Sequence, residues 1–285
     1  MSVDAIFETV ADVAGEVRAA LGERRSYTAA ENPSGETQLA ADVYADELLE
    51  ERLLALDDVA AYASEERPEV IESATTGADE GFHVACDPLD GSSNLKSNNG
   101  MGTIVSVYDR PLPAPGDALV AAGYVLYGPI TTMVTARDGR VREFLVEDGS
   151  REILEADLQI PEDPVVYGFG GRAPDWPDRF ADYVRAIEDD RLKLRYGGAM
   201  VADVNQVLTY GGIFGYPMLS GHPDGKLRLQ FEGHPMAAIV AAAGGASSDG
   251  VGSLLDRTPA ELHERSPLFV GNEELVERLE AALDE

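Results

Sequence analysis

Asp87 and Asp90 stand three residues apart in the run DPLDGSSN, Asp87 to Asn94, directly behind the apolar stretch Phe82 to Cys86. Hard divalent cations take oxygen ligands, which two carboxylates on one bend supply. Pro88 stiffens that bend and leaves the Leu89 carbonyl as a further ligand. Gly91, Ser92 and Ser93 then offer backbone N–H groups and hydroxyls to a phosphate. Asp-Pro and Asp-Gly are also ordinary turn formers, so the run alone reads equally well as a solvated loop. Spacing separates the competing motifs. Counting from Asp87, the twelfth residue is Asn98 and the third is Leu89, which does not fit an EF-hand calcium loop. An aspartyl-phosphate phosphatase would place its second Asp two positions after the nucleophile, not three, which favours metal-activated water over a covalent carboxylate intermediate. No GxxxxGK[ST] loop is present, and GFGG at Gly168 to Gly171 falls short of the dinucleotide pattern.

A second acidic cluster lies upstream, where Ala60 to Ala63 reads as a short strand ending in Ser64, Glu65 and Glu66. Adjacent carboxylates at a strand end repel unless a cation lies between them, although a solvated pair is the ordinary alternative in so acidic a chain. Downstream, KLRLQFE alternates Leu227, Leu229 and Phe231 against Lys226, Arg228, Gln230 and Glu232. That period of two predicts one strand presenting Lys226, Arg228 and Glu232 on a single face, cations for phosphate and a carboxylate for metal.

These pieces, in this order, resemble class I fructose-1,6-bisphosphatase, within the lithium-sensitive, magnesium-dependent sugar phosphatase superfamily. The matching strings are SEE at Ser64 to Glu66, DPLDGSSN, GTI at Gly102 to Ile104, LVAAGYVLYG at Leu119 to Gly128, MVADVNQVLTYGGIFGYP at Met200 to Pro217 and GKLRLQFEGHPMA at Gly225 to Ala237. The SSN ending is closer to the bisphosphatase branch than to the DGT form of inositol monophosphatases.

The resemblance implies removal of the 1-phosphate of fructose 1,6-bisphosphate in gluconeogenesis, with two or three Mg2+ per site, or Mn2+ in their place. It implies metal ligation by Glu65, Glu66, Asp87, the Leu89 carbonyl, Asp90 and Glu232. Asp42 matches an aspartate that helps Glu66 orient and deprotonate the attacking water. GETQLAAD, Gly35 to Asp42, matches a mobile loop of the family, with Glu36 where an aspartate is usual. Gly91, Ser92 and Ser93 would meet the 1-phosphate, and Tyr196, Tyr216 and Lys226 the sugar and its 6-phosphate. Arg228 would pair with Glu36 or the metal cluster. Arg195 matches an arginine that reaches the 6-phosphate of a neighbouring subunit, which implies a homo-oligomer, dimer or tetramer. The distal pocket departs from the pattern: Gly170 and Ala173 stand where the family has Asn and Tyr, and Arg172 between them is the available substitute. The alternatives are a related inositol or sugar phosphatase, including one for sedoheptulose 1,7-bisphosphate, and a non-catalytic binding protein on the same fold.

Composition points elsewhere. With 52 acidic against 22 basic residues the net charge is -30, which excludes nucleic acid as a partner. Lysine occurs only at 96, 193 and 226, while 44% hydrophobic residues argue for a folded core. The combination fits a protein adapted to concentrated salt, where surface carboxylates no longer repel at range. Cys86, the single cysteine, is expected as a buried small residue. The N-terminus has no signal-like core and the apolar run Ala118 to Ile130 is too short to span a bilayer, so the expectation is a cytoplasmic protein away from membranes.

To position these groups the pattern predicts an amphipathic helix over Ile6 to Leu21 and another whose inner face is Leu49, Leu53 and Leu56. Strands are expected at Val84 to Cys86, Thr103 to Tyr108 and Leu119 to Tyr127, then a hairpin turning at Asp138-Gly139. PEDP at Pro161 to Pro164 divides the chain into residues 1–162, with the metal motifs, and 163–285, with the sugar and distal phosphate contacts. Helices follow near Phe180 to Ile187, at Met200 to Tyr210, Pro235 to Ala243 and Glu273 to Leu283, the last capped by Asn272, with a strand at Ile213. The fold class is mixed α/β, and the resemblance implies a layered α-β-α-β-α sandwich.

Overall fold

The computed structural model describes residues 3–284 apart from Ser34, Glu36 and Asp79. The first half contains helix α1 (Val3–Ala20), strands β1 (Tyr27–Glu31) and β2 (Thr37–Leu39), helix α2 (Ala40–Leu54), and strands β3 (Val59–Ser64), β4 (Ile71–Glu72), β5 (Phe82–Asp90), β6 (Met101–Tyr108), β7 (Leu119–Tyr127), β8 (Thr131–Arg137), β9 (Arg140–Glu147) and β10 (Ser150–Glu155). The second half continues with β11 (Val166–Phe169), α3 (Asp178–Asp189), β12 (Lys193–Leu194), α4 (Met200–Tyr210), β13 (Gly212–Tyr216), β14 (Leu227–Arg228), α5 (His234–Ala242), β15 (Ala246–Ser248), β16 (Arg265–Ser266), β17 (Leu268–Gly271) and α6 (Glu273–Asp284).

Eight strands form one sheet in the order β10-β9-β8-β7-β6-β5-β3-β4, and five form another in the order β12-β11-β13-β17-β15. Apolar cores separate the layers. α1 and α2 pack through Phe7, Val10, Leu49 and Leu53 against Val84, Cys86 and Val105 of the large sheet. Its other face, Ile104, Ala122 and Tyr124, meets Val204 and Val207 of α4 and Met236 and Val240 of α5, which rest in turn on Phe214 and Val270 of the small sheet. The outer face of that sheet, Tyr167, Phe169 and Phe269, is covered by Phe180 of α3 and Leu279 of α6. The result is the expected α-β-α-β-α sandwich. β6 is buried at every position because both its faces are covered, so even Thr103 and Ser106 lie inside and the strand has no polar face.

Local chemistry sets the elements as expected in most places. At the β8–β9 turn Asp138 and Gly139 both take positive φ, 52° and 70°, the conformation that joins tightly twisted hairpin strands. α4 stops where Gly211 (φ 71°) donates its N–H back to the Val207 carbonyl at 2.8 Å. Cys86 is fully buried.

Three expectations are corrected. Lys226 to Glu232 is not a continuous strand: only Leu227 and Arg228 pair with β16, and Leu229–Gly233 forms a wide π-helical turn running into α5. The apparent alternation failed because Gln230 is as buried as Leu229 and Phe231, its Oε1 accepting the Ala114 N–H at 2.8 Å, so no solvent face exists. Asn272 precedes α6, but its side chain accepts from Gly212 N and donates to the Pro161 carbonyl, stitching β13 to the inter-sheet segment instead of capping the helix. Leu56 lies past the end of α2 and only packs against the edge of the core.

Candidate active site

The ends of β3 and β5, the turn before α5 and the start of α2 open into one cleft of about 920 Å³. β5 pairs regularly with β6 as far as Asp87 opposite Ile104, then slips before Asp90 opposite Gly102. Pro88 sits in that slip with no N–H to pair, and its carbonyl accepts the Thr103 hydroxyl at 2.8 Å. Asp87 Oδ1 accepts the Leu89 N–H at 3.0 Å, which sets the carboxylate facing the cleft that Leu89 also lines. Gly91 follows with φ 71°, and a Cβ there would stand 2.2 Å from that of Ala199. No other residue therefore allows Ser92 and Ser93 to approach the N-terminus of α4 so closely.

Among the described residues, oxygens of Glu65, Asp87 and Glu232 converge within 4.8 Å of one another, and all three residues are buried. Arg228 is placed beside them, its Nη2 2.7 Å from Glu65 Oε1 and its backbone N–H donated to Glu232 Oε2 at 2.6 Å. The wide turn after Arg228 makes this possible, since it folds Glu232 back onto the residue four positions earlier. Buried carboxylates at this separation disfavour ionisation, and the site shows it. Burial first, then Glu65, Asp90 and Glu232, push the Asp87 carboxyl well up. Glu232 is pushed up by burial and Glu65 against the opposing pull of Arg228. Such a set of acceptor-only oxygens around one guanidinium suits a hard divalent cation.

The other expected ligands lie around this group. Asp90 lines the cleft, but its Oδ2 accepts the Val201 N–H at 2.8 Å near the start of α4. Burial raises it to about 7 although that hydrogen bond favours the charged form. Glu66 Oε2 accepts from Gln38 Nε2 at 2.5 Å; burial and Glu65 raise it to about 8. Asp42 lines the same cleft from the first turn of α2, its Oδ2 accepting the Leu39 N–H at 2.7 Å. Glu36 lies outside the described residues.

At the distal side Tyr196, Tyr216 and Lys226 line the cleft with Gly91, Ser92, Ser93 and Arg228, and Lys226 Nζ stands 5.9 Å from the centre of the Tyr216 ring. A Cβ on Gly170 would fall 2.2 Å from Tyr216 Cδ2, so the ring occupies the space that a side chain at 170 would need. Arg172 and Arg195 are exposed and do not line the cleft. Sequence reading missed Gln38, Asn94 and Asp203. Asn94 Nδ2 donates to the carbonyls of Gly100 and Gly197, both at 2.9 Å, and Asp203 accepts the N–H groups of Gly197 and Gly198. Asn94 and Asp203 thus fix the loop carrying Tyr196, while Gln38 holds Glu66, and spacing alone discloses none of these long-range partners.

These shifts set the pH response of the metal-free protein. Glu66 (about 8), Asp90 (about 7) and Asp203 (about 6) hold protons more tightly folded than unfolded, so their contribution to stability is greatest at low pH and falls as pH rises through those values. In chelator the thermal midpoint should drop between about pH 5 and 8, and magnesium should flatten or reverse that slope by binding the deprotonated carboxylates. A midpoint independent of pH in chelator would contradict the crowding.

Comparisons with known proteins agree on one family. The model of the fructose-1,6-bisphosphatase N-terminal domain matches residues 2–154, and that of the C-terminal domain residues 160–284. The chain is 67% identical over 285 residues to a class 1 fructose-1,6-bisphosphatase of Natronomonas pharaonis, covering 99% of each. It is 58% identical over 282 residues to that of Halobacterium salinarum, covering 99% of this chain and 97% of the relative. The structure of Leishmania major fructose-1,6-bisphosphatase in holo form superposes with a TM-score of 0.92 at 28% identity, covering 99% of this chain and 94% of that one.

Proposed function

The chain belongs to the class 1 fructose-1,6-bisphosphatase family and hydrolyses fructose 1,6-bisphosphate, and on that premise we propose which of its groups do the work. The observation that carries the reading is the convergence of Glu65, Asp87 and Glu232 beside the DGSSN turn. With Asp90, Glu66 and the Leu89 carbonyl these residues would hold two or three Mg2+, or Mn2+ in their place. Bound there, the cations supply charge neutralisation of the phosphate and a water of lowered pKa. Gly91, Ser92 and Ser93 hold the 1-phosphate through N–H and hydroxyl groups. Glu66 takes the proton of the attacking water, and Asp42 orients that water. Phosphoryl transfer then needs little beyond alignment and charge stabilisation.

Tyr196, Tyr216 and Lys226 hold the sugar and distal phosphate, while Arg228 limits repulsion among the carboxylates. Arg195, exposed and outside the cleft of its own chain, serves the cleft of a neighbouring copy in a homodimer or homotetramer, and Arg172 is the remaining cation of the 167–174 segment for a distal phosphate. Residues 1–162 and 163–285 form the two units, metal-bearing and sugar-bearing. Among the described residues no helix is long and apolar enough to cross a membrane, and a cytoplasmic place in gluconeogenesis is the corresponding proposal. Phosphate release should be measured in concentrated potassium chloride with magnesium on fructose 1,6-bisphosphate, sedoheptulose 1,7-bisphosphate and inositol 1-phosphate. The first should give the highest kcat/KM, and an equal or higher value on inositol 1-phosphate would overturn the substrate assignment.

A further inference from the structure

Three carboxylates, Asp42, Asp46 and Glu50, recur every fourth residue along α2 and so lie in one row on the helix, where like charges repel. Arg67, the residue after Glu66, resolves that row. Its Nε stands 2.5 Å from Asp46 Oδ2 and its Nη2 2.5 Å from Glu50 Oε2, so the two arms of one guanidinium take the second and third carboxylates and leave the first beside Glu66. Asp46 is buried and its other oxygen accepts the Tyr62 hydroxyl at 3.0 Å, a donor from within β3. The Arg67 backbone is held from the opposite side, since His263 Nε2 donates to its carbonyl at 2.8 Å. Consecutive residues just past β3 thus grip the segment that carries Asp42 on both sides, Glu66 through Gln38 of β2 before the helix and Arg67 through Asp46 and Glu50 along it.

We propose that Arg67 is a positioning residue, fixing α2 and with it Asp42 against the strand end that carries Glu66. The inference rests on the reading of Asp42 and Glu66 as the pair that activates water. Without Arg67, Asp46 would face Glu66 as a buried charge satisfied only by Tyr62, and the helix would move to relieve it. A displacement of about 1 Å between groups that share one water costs up to about a hundredfold in rate, whereas substrate contacts on the far side of the cleft are untouched. The pair also suits a salt-rich solvent, because the buried Asp46 oxygen is shielded from the ions that screen exposed pairs.

The test compares Arg67→Gln, Arg67→Lys, Asp46→Asn and the Asp46→Asn/Arg67→Gln double variant with Arg278→Gln, which breaks a surface ion pair to Asp190 away from the cleft. Arg67→Gln should lower kcat about tenfold with KM for fructose 1,6-bisphosphate within about twofold, a split expected when transition-state alignment alone is lost. Arg67→Lys, which keeps the charge but not the fork, should recover part of the rate. The double variant should be no slower than Arg67→Gln, because both changes break one interaction, and Arg278→Gln should match the parent. A kcat for Arg67→Gln within about twofold of the parent, even with a lowered thermal midpoint, would mean a purely structural role and overturn the proposal, as would additive losses in the double variant. If Arg67→Gln does not fold, unchanged kcat in both Arg67→Lys and Asp46→Asn overturns it equally. Glu66→Gln separates the two readings. Full activity in that variant refutes water activation by Glu66, while an inactive Glu66→Gln beside a fully active Arg67→Gln refutes only the positioning role.

Discussion

Asp87→Asn should reduce kcat at saturating magnesium by at least about a hundredfold, equivalent to about 2.7 kcal/mol of barrier, while the metal-free protein becomes no less stable. Both halves follow from the geometry. Asp87 contributes one of three buried oxygens within 4.8 Å, so the amide removes a ligand charge where the cations would lie. The same charge is repelled by Glu65, Asp90 and Glu232, so its loss relieves the apo cluster. Asn keeps the size and the oxygen that meets the Leu89 N–H, which limits other disturbance. The diagnostic is the magnesium-induced rise in thermal midpoint, large in the parent and much smaller in the variant. A variant with more than about a tenth of parental turnover, or with the full magnesium response, would remove Asp87 from the metal site.

The layers were legible wherever the hydrophobic pattern had only one solution. α1, α4 and α6 show a helical period, β7 shows a strand-length apolar run and β6 a mostly apolar one, so their types and approximate limits could be written from the residues. The carboxylates of SEE and DPLDGSSN stood out only as part of a set of matching strings, since a charge pair at a strand end and an Asp-Pro turn each read equally well as solvated surface. What could not be read was the turn at Leu229–Gly233. Its period of two is genuine in the sequence, but burial of Gln230 from both sides and the return of Glu232 to the Arg228 N–H are tertiary facts. The same limit hid Gln38, Asp203 and Arg67. Their partners lie 28 residues away for Gln38 and 21 for Arg67, and the Asp203 bonds depend on the path of the 197–198 loop. The distal side was half legible: Tyr216 and Lys226 come together, yet the reason for Gly170 appears only once the Tyr216 ring is seen filling its side-chain space.

Dilution from molar salt should inactivate and unfold the protein. The net charge of -30 is spread over a chain of 285 residues, and ion pairs such as Arg110–Asp117 and Arg52–Glu16 are exposed and contribute little each. At about 0.01 M salt the Debye length is on the order of 30 Å, so the uncompensated carboxylates repel across the whole molecule; at about 1 M it is near 3 Å and only neighbours interact. A folding stability of about 5–15 kcal/mol is small enough for the unscreened repulsion to exceed it. The crowded cleft should fail with the rest, because Asp87, Asp90 and Glu232 already resist ionisation there, and magnesium should slow the loss by binding only the native arrangement. Circular dichroism and phosphate release followed from about 0.05 to 3 M potassium chloride, with and without magnesium, read both effects across the range in which screening changes most. Structure and turnover that stay constant over that series would mean that the acidic surface is not an adaptation to salt; loss at low salt with protection by magnesium would join the surface charge and the metal cluster in one electrostatic account.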